Sequence, residues 1–232
     1  MERRIAWPPF TTNIKITLGV LGVLFLLSIP ASLYQYVDQY LLVSRDAVVA
    51  DYEVWTLLTY AFFHDNFGHI AFNGIALWMF GSYLDQVWDS KRFWTHSLLC
   101  ALGGGVVVVL SQLALGMNVP TLGYSAAVMG LIAAYAWYNW NRRINLLFFP
   151  MTGKWMLALF LGIDVFMVLV ANQPVSIAGH LGGMATGLLL VTGYWRPTKL
   201  QQLWRRWKTR RNLKVVSKSK NPDRKRNGKW IN

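Results

Sequence analysis

Cysteine is nearly absent. Cys100 is the only one, so no disulfide can close within the chain and a disulfide-stapled secreted domain is excluded. Charge is scarce as well: 14% of the 232 residues are charged, against about 25% in soluble domains. No organelle presequence is evident at the N-terminus, and no clear cleavage site follows the first apolar run. Acidic residues are missing from one region above all. Residues 195–232 hold fourteen Lys/Arg and a single acid, Asp223, while the other 194 residues hold nine of each sign. The net charge of +13 therefore sits in the tail, behind an electrically neutral body. That distribution excludes a soluble nucleic-acid-binding protein, and no nucleic-acid partner is expected. What is present is apolar: 54% hydrophobic residues, including 12 Trp, 12 Phe and 10 Tyr. The composition is that of a membrane protein.

A bilayer-spanning helix needs about 20 mostly apolar residues. Six segments qualify as candidates: residues 14–33, 67–84, 93–115, 121–140, 155–171 and 175–194. The second, fourth and sixth carry Gly, His, Asn and Ser, which are costly in lipid, so these helices should face protein. With the N-terminus inside, the inner segments hold 22 Lys/Arg and the outer ones only Arg45, a strong positive-inside bias. The expected organisation is a cytoplasmic N-terminal segment (1–13), a six-helix membrane domain (14–194) and a basic cytoplasmic tail (195–232). The first outer loop, about residues 34–63, is acidic and carries apolar residues that suit the outer interface. In the tail, Trp204 and Trp207 stand among Arg205, Arg206, Lys208, Arg210 and Arg211. It reads as a solvated charge run that fixes orientation and meets anionic lipid.

Polar residues inside a membrane are functional candidates. His64 stands at the outer mouth of the second span, with His69 about 8 Å and Asn73 about 14 Å deeper along a helix. His69 and Asn73 are four apart and share a face; His64 and His69 are five apart and do not, which argues against a metal pair. Ser125 is expected about five residues into the fourth span and His180 about six residues into the sixth. Counted from the outer face, these groups reach similar depths, whereas His96 lies near the inner end of its span. Gly179, Gly183 and Gly187 repeat every four residues, and Gly123 and Gly130 flank the serine, so the helix backbones can approach closely. A histidine within reach of Ser125 can take its hydroxyl proton, and His69 and Asn73 offer donors to an oxyanion. That is equipment for acyl transfer. No carboxylate is expected to orient His180, so the pair reads as a dyad. Each group also has a plain structural reading: serine bonded to its own backbone, glycines for packing, histidine and asparagine as interhelical glue.

These residues resemble the rhomboid family of intramembrane serine proteases. His64-Asp-Asn-Phe-Gly-His69-Ile-Ala-Phe-Asn73 is similar to the family's H-x4-H-x3-N, Gly123-Tyr-Ser125 to its G-x-S, and Ala178-Gly-His180-Leu-Gly182-Gly183 to its sixth-helix histidine with two glycines. The resemblance covers about residues 14–194. It implies an all-α, six-transmembrane-helix rhomboid bundle with both termini inside. It implies Ser125 as nucleophile and His180 as general base, with Asn73, His69 and the Ser125 amide lining the oxyanion hole. His64 and Gly123 would support the site. The implied substrates are membrane-anchored proteins cut in or near their transmembrane helix, close to the outer face, with no metal or other cofactor. A bacterial plasma membrane is the simplest expected location. The alternative is a non-catalytic rhomboid-like protein that binds transmembrane segments.

Three positions depart from the family pattern. Thr56 follows Trp55 where arginine is frequent, Ala126 follows the serine where glycine is frequent, and Met129 stands where an aromatic ring often neighbours the histidine. Extra bulk at Ala126 is expected to narrow the oxyanion region, and His180 must be oriented by other contacts. Asp164, midway along the fifth span, matches no motif; with no cation in the spans to pair with, it reads as a protonated carboxyl bonding a neighbouring helix, or as part of a lateral gate.

Overall fold

The computed structural model describes residues 7–146, 149–171 and 174–218. The chain divides into two units, one ending at Thr192 and one beginning at Gly193.

The first unit opens with α1 (Thr12–Leu27), which breaks at Pro30 into α2 (Ala31–Tyr40) at 115°. Proline at the break suits an N-terminal helix position and disfavours helix before it. The short helices α3 (Arg45–Val49) and α4 (Thr56–Thr59) follow, with a 3-10 turn at Tyr60–Phe62. This loop is tied down by its own polar groups. Trp55 Nε1 donates to the Tyr40 carbonyl (2.8 Å), Thr59 Oγ1 to that of Leu41 (2.8 Å), and the Arg45 amide to Gln112 Oε1 (2.9 Å). Thr56 is fully buried and donates to the Glu53 carbonyl, so pinning proceeds without an arginine there.

Next comes α5 (Phe67–Ala76), capped by Asn66, whose side chain accepts from the His69 amide. A π turn at Leu77–Gly81 leads directly into α6 (Ser82–Val87). Asp89 caps α7 (Ser90–Leu115), and Gly116 ends it at φ +65°, a left-handed conformation that glycine adopts without a Cβ clash. Then follow α8 (Ser125–Tyr138), the antiparallel hairpin β1 (Arg143–Leu146) and β2 (Phe149–Thr152), α9 (Gly153–Ala171) and α10 (Pro174–Thr192).

All six expected segments are mainly helical, but the first, expected to run to residue 33 as one span, ends at Leu27 and turns through 115° at the proline into α2. Among the described residues, helix α7 alone is long and apolar enough to cross a membrane, and the bent pair α1–α2 is a second candidate if taken as one span; α8 is apolar but shorter. Two further features differ from expectation. The fourth segment begins at Ser125, not Thr121, because Thr121 exchanges backbone hydrogen bonds with Val43 and Gly123 sits at φ +119°, outside helical space. The connection after α8 is a hairpin, not simply a charged loop.

Helix α8 is buried on every side from Ala126 to Ala134, as an apolar helix without a polar face must be. Helices α7 and α10 pack against it and against each other. At the other end of α1, Asn13 bonds Ser90 Oγ (3.0 Å) and accepts from Trp94 Nε1 (3.1 Å), tying that helix to α7. Large apolar side chains lie exposed along α1 (Ile16, Val20, Val23, Leu26) and α9 (Ile163, Val165, Phe166, Leu169), an exterior suited to lipid.

The second unit contains α11 (Pro197–Lys218), so the part of the tail that is described is helical rather than a formless charge run. Arg196 stacks on Trp195 and Lys208 on Trp204, with cation-to-ring distances of 5.1 and 5.2 Å.

Candidate active site

The site forms around residues 123–126, where the chain turns into α8. Gly123 donates its amide to the Tyr60 carbonyl (3.0 Å). A Cβ on Gly123 would fall 2.6 Å from His69 Nε2, so the imidazole lies directly against the glycine. Two demands therefore fix glycine here: the positive φ and the ring beside it. His69 Nδ1 pairs with Asp65 Oδ1 at 2.8 Å, one helical turn back.

His64 is 2% exposed, and its Nε2 accepts the Tyr124 amide proton at 3.3 Å. Burial, with the neighbouring His69 as a second cause, pushes its pKa down to about 4. The neutral ring is the form that can accept, so the hydrogen bond and the low basicity agree. The two histidine rings meet edge-on with centroids 5.0 Å apart. Five residues separate them in sequence, but His64 precedes α5 and is free of its helical phase. The expectation that they face apart is corrected for that reason.

Asn73 follows His69 by one turn. It is 6% exposed, and its buried Nδ2 has no hydrogen-bond partner among the described residues. A buried unpaired donor is costly, which makes it a candidate for a group completed by a ligand. Ser125 is the first residue of α8, so the amides of its first turn lack helical acceptors and favour negative charge.

Helix α10 approaches through its glycines. A Cβ on Gly183 would land on the Ala126 carbonyl, and one on Gly187 would lie 2.5 Å from the Gly130 carbonyl oxygen. The two contacts share one sequence offset, so α8 and α10 run parallel in register with backbones touching. Ser125 is one residue from the first contact, and His180 three residues before it, within a single turn. Ser125 Oγ makes no hydrogen bond to His180 in this conformation. The Ala126 methyl sits against Gly104 of α7, which takes up the bulk expected to narrow the site. Met129 is buried in the core.

His180 is held from the other side. Its Nδ1 lies 2.8 Å from Asp164 Oδ1 on α9. This overturns the expectation that no carboxylate is placed to orient His180, and it gives Asp164 a hydrogen-bond partner on a neighbouring helix. Helices α9 and α10 are antiparallel and joined by a short connection. Asp164 lies seven residues before the end of α9 and His180 six after the start of α10, so they come level. Their near-equal distance from the short stretch between the two helices was the signal in the sequence. Asp65 and the Tyr124 amide were also unmarked. Among the described residues, no group of three or more His, Cys, Asp or Glu side chains is arranged to hold a metal ion.

A sequence model of the Rhomboid domain matches residues 51–197. The chain is similar to Rhomboid protease GluP of Bacillus subtilis, with 26% identity over 150 residues, covering 62% of this chain and 26% of that protein. It is similar to Rhomboid protein 1, mitochondrial, of Saccharomyces cerevisiae, with 26% identity over 195 residues, covering 78% and 55%. It also resembles Presenilin-associated rhomboid-like protein, mitochondrial, of Homo sapiens, with 27% identity over 139 residues, covering 59% and 37%. The chain thus spans about a quarter to about half of the length of these relatives. Mitochondrial relatives stand beside the bacterial one, so the expectation of a bacterial plasma membrane gains no support from them, whereas a membrane location does.

Proposed function

Since the chain belongs to the rhomboid family, we propose that it is an intramembrane serine endopeptidase that cuts membrane-anchored proteins in or near their transmembrane helix. Ser125 is the nucleophile and His180 the general base of an acyl-enzyme mechanism. Asn73, His69 and the Ser125 amide receive the oxyanion. His64 and Gly123 hold the approach to α8, His64 through the Tyr124 amide and Gly123 by admitting the His69 ring. The observation that carries this reading is the meeting of α5, α8 and α10 around residues 123–126, with Ser125 and His180 each within a turn of the glycine contact. We further propose six membrane spans with both termini inside, from the 22-to-1 basic asymmetry, and a site opening to the outer face.

The test is cleavage of a model transmembrane substrate in detergent, together with labelling by a serine-directed fluorophosphonate. Wild type should cleave and label; Ser125→Ala and His180→Ala should do neither. Cleavage that persists in Ser125→Ala, or a folded wild type that cleaves no such substrate, would move the assignment to a non-catalytic binder of transmembrane segments.

A further inference from the structure

The interior of α9 holds one charged residue, and it points inward. Ile163, Val165, Phe166 and Met167 are 46–60% exposed, whereas Asp164 is 6% exposed. Its Oδ1 meets His180 Nδ1 at 2.8 Å, and its Oδ2 is buried without a partner among the described residues. Among the described residues, no other hydrogen bond reaches either ring nitrogen of His180. A carboxylate in apolar surroundings is expensive to keep unless it is bonded, and here the bond goes to one atom of one residue.

We propose that Asp164 is an ionised positioning residue for His180, accepting Nδ1–H and so fixing the tautomer whose Nε2 is bare. The inference rests on the protease reading and adds a third member to the Ser125–His180 pair. The alternative arrangement, a protonated Asp164 donating to Nδ1, places the ring proton on Nε2 and leaves His180 unable to act as a base. With Nδ1 protonated, the cycle balances. Ser125 Oγ bonds to the scissile carbonyl carbon, the π pair moves to the carbonyl oxygen, and the hydroxyl proton passes to Nε2. Collapse of the adduct breaks the C–N bond, and that proton leaves with the amine. Water then repeats the sequence on the ester and restores Ser125. In both halves His180 passes through an imidazolium, and the adjacent carboxylate stabilises it most where water is excluded.

Two variants test this: Asp164→Asn, which keeps shape, and Asp164→Leu, which removes the polar group. Both are checked for folding by size-exclusion and thermal unfolding in detergent. In folded Asp164→Asn, kcat should fall by about 10²–10⁴-fold with KM within about twofold, and the labelling rate of Ser125 should fall in parallel. Asp164→Leu should match it in rate whatever its stability. A kcat within about twofold of wild type in either folded variant overturns the proposal and leaves Asp164 a packing residue. A second readout does not need activity. Side-chain ¹⁵N spectra, with the His180 signals assigned by their loss in His180→Ala, should show Nδ1 protonated and Nε2 bare in wild type. In Asp164→Asn the two nitrogens should become mixed. A wild-type proton on Nε2 refutes the inference even if cleavage is robust. A proton on Nδ1 in a wild type that cleaves nothing upholds the inference and refutes the protease reading.

Discussion

His64 carries a consequence that can be measured without any substrate. Folded His64 resists protonation until about pH 4, while the unfolded chain takes that proton near the ordinary value of about 6.5. The unfolded state therefore binds more protons throughout this window, and stability falls as pH drops from about 6.5 to about 4. The full loss is on the order of 3 kcal/mol. Thermal unfolding of wild type across this range should show the decline. His64→Gln, which keeps an acceptor for the Tyr124 amide but has nothing to titrate, should show a shallower one. Equal slopes would mean that His64 is not the group responsible. At the same scale, His64, His69, Asn73, Gly123, Ser125 and His180 could be named as candidates because the motifs that carry the family resemblance are local. Asp164 is not local. It bonds a residue on another helix, and its depth becomes informative only when counted back from the start of α10.

At the scale of the element, the glycines of α10 sort into those that touch backbone and those that do not. A methyl at position 183 would meet the Ala126 carbonyl group, which cannot rotate away, so α8 and α10 would have to separate. Gly183→Ala should cost about 1–3 kcal/mol or more by overpacking, and should abolish cleavage in the protein that still folds. Gly162 on α9 is the control: a Cβ there meets nothing within 4 Å, and alanine is the better helix former. Gly162→Ala should be neutral or slightly stabilising in thermal unfolding. If both variants behave alike, the parallel contact between α8 and α10 is not what holds the site. The every-fourth-residue glycine pattern made this contact readable, since small residues at helical spacing have few other uses in a membrane helix. The true start of α8 was hidden. Hydropathy continues smoothly through Thr121–Gly123, and only the backbone shows that Gly123 leaves helical space. The hairpin at Arg143–Thr152 was hidden for a related reason: its four-residue strands are too short for a period to stand out.

At the scale of the whole molecule, charge and chemistry are segregated. The neutral unit up to Thr192 contains every proposed site residue, and the unit from Gly193 contains all of the net charge. Deleting residues 197–232 should leave the detergent cleavage rate within about twofold of wild type. The same deletion should reduce the affinity of the protein for anionic over neutral vesicles, in a manner that fades with added salt. A tail-deleted protein that stays folded but loses activity in detergent would tie the tail to the reaction itself.

Helix α9 faces outward along most of its length and reaches His180 through one side chain, Asp164. If His180 is the base proposed above, the seating of an outward helix and the reactivity of a buried serine become one measurable property: a substitution that loosens α9 from α10 should slow labelling of Ser125 although it alters no proposed site residue.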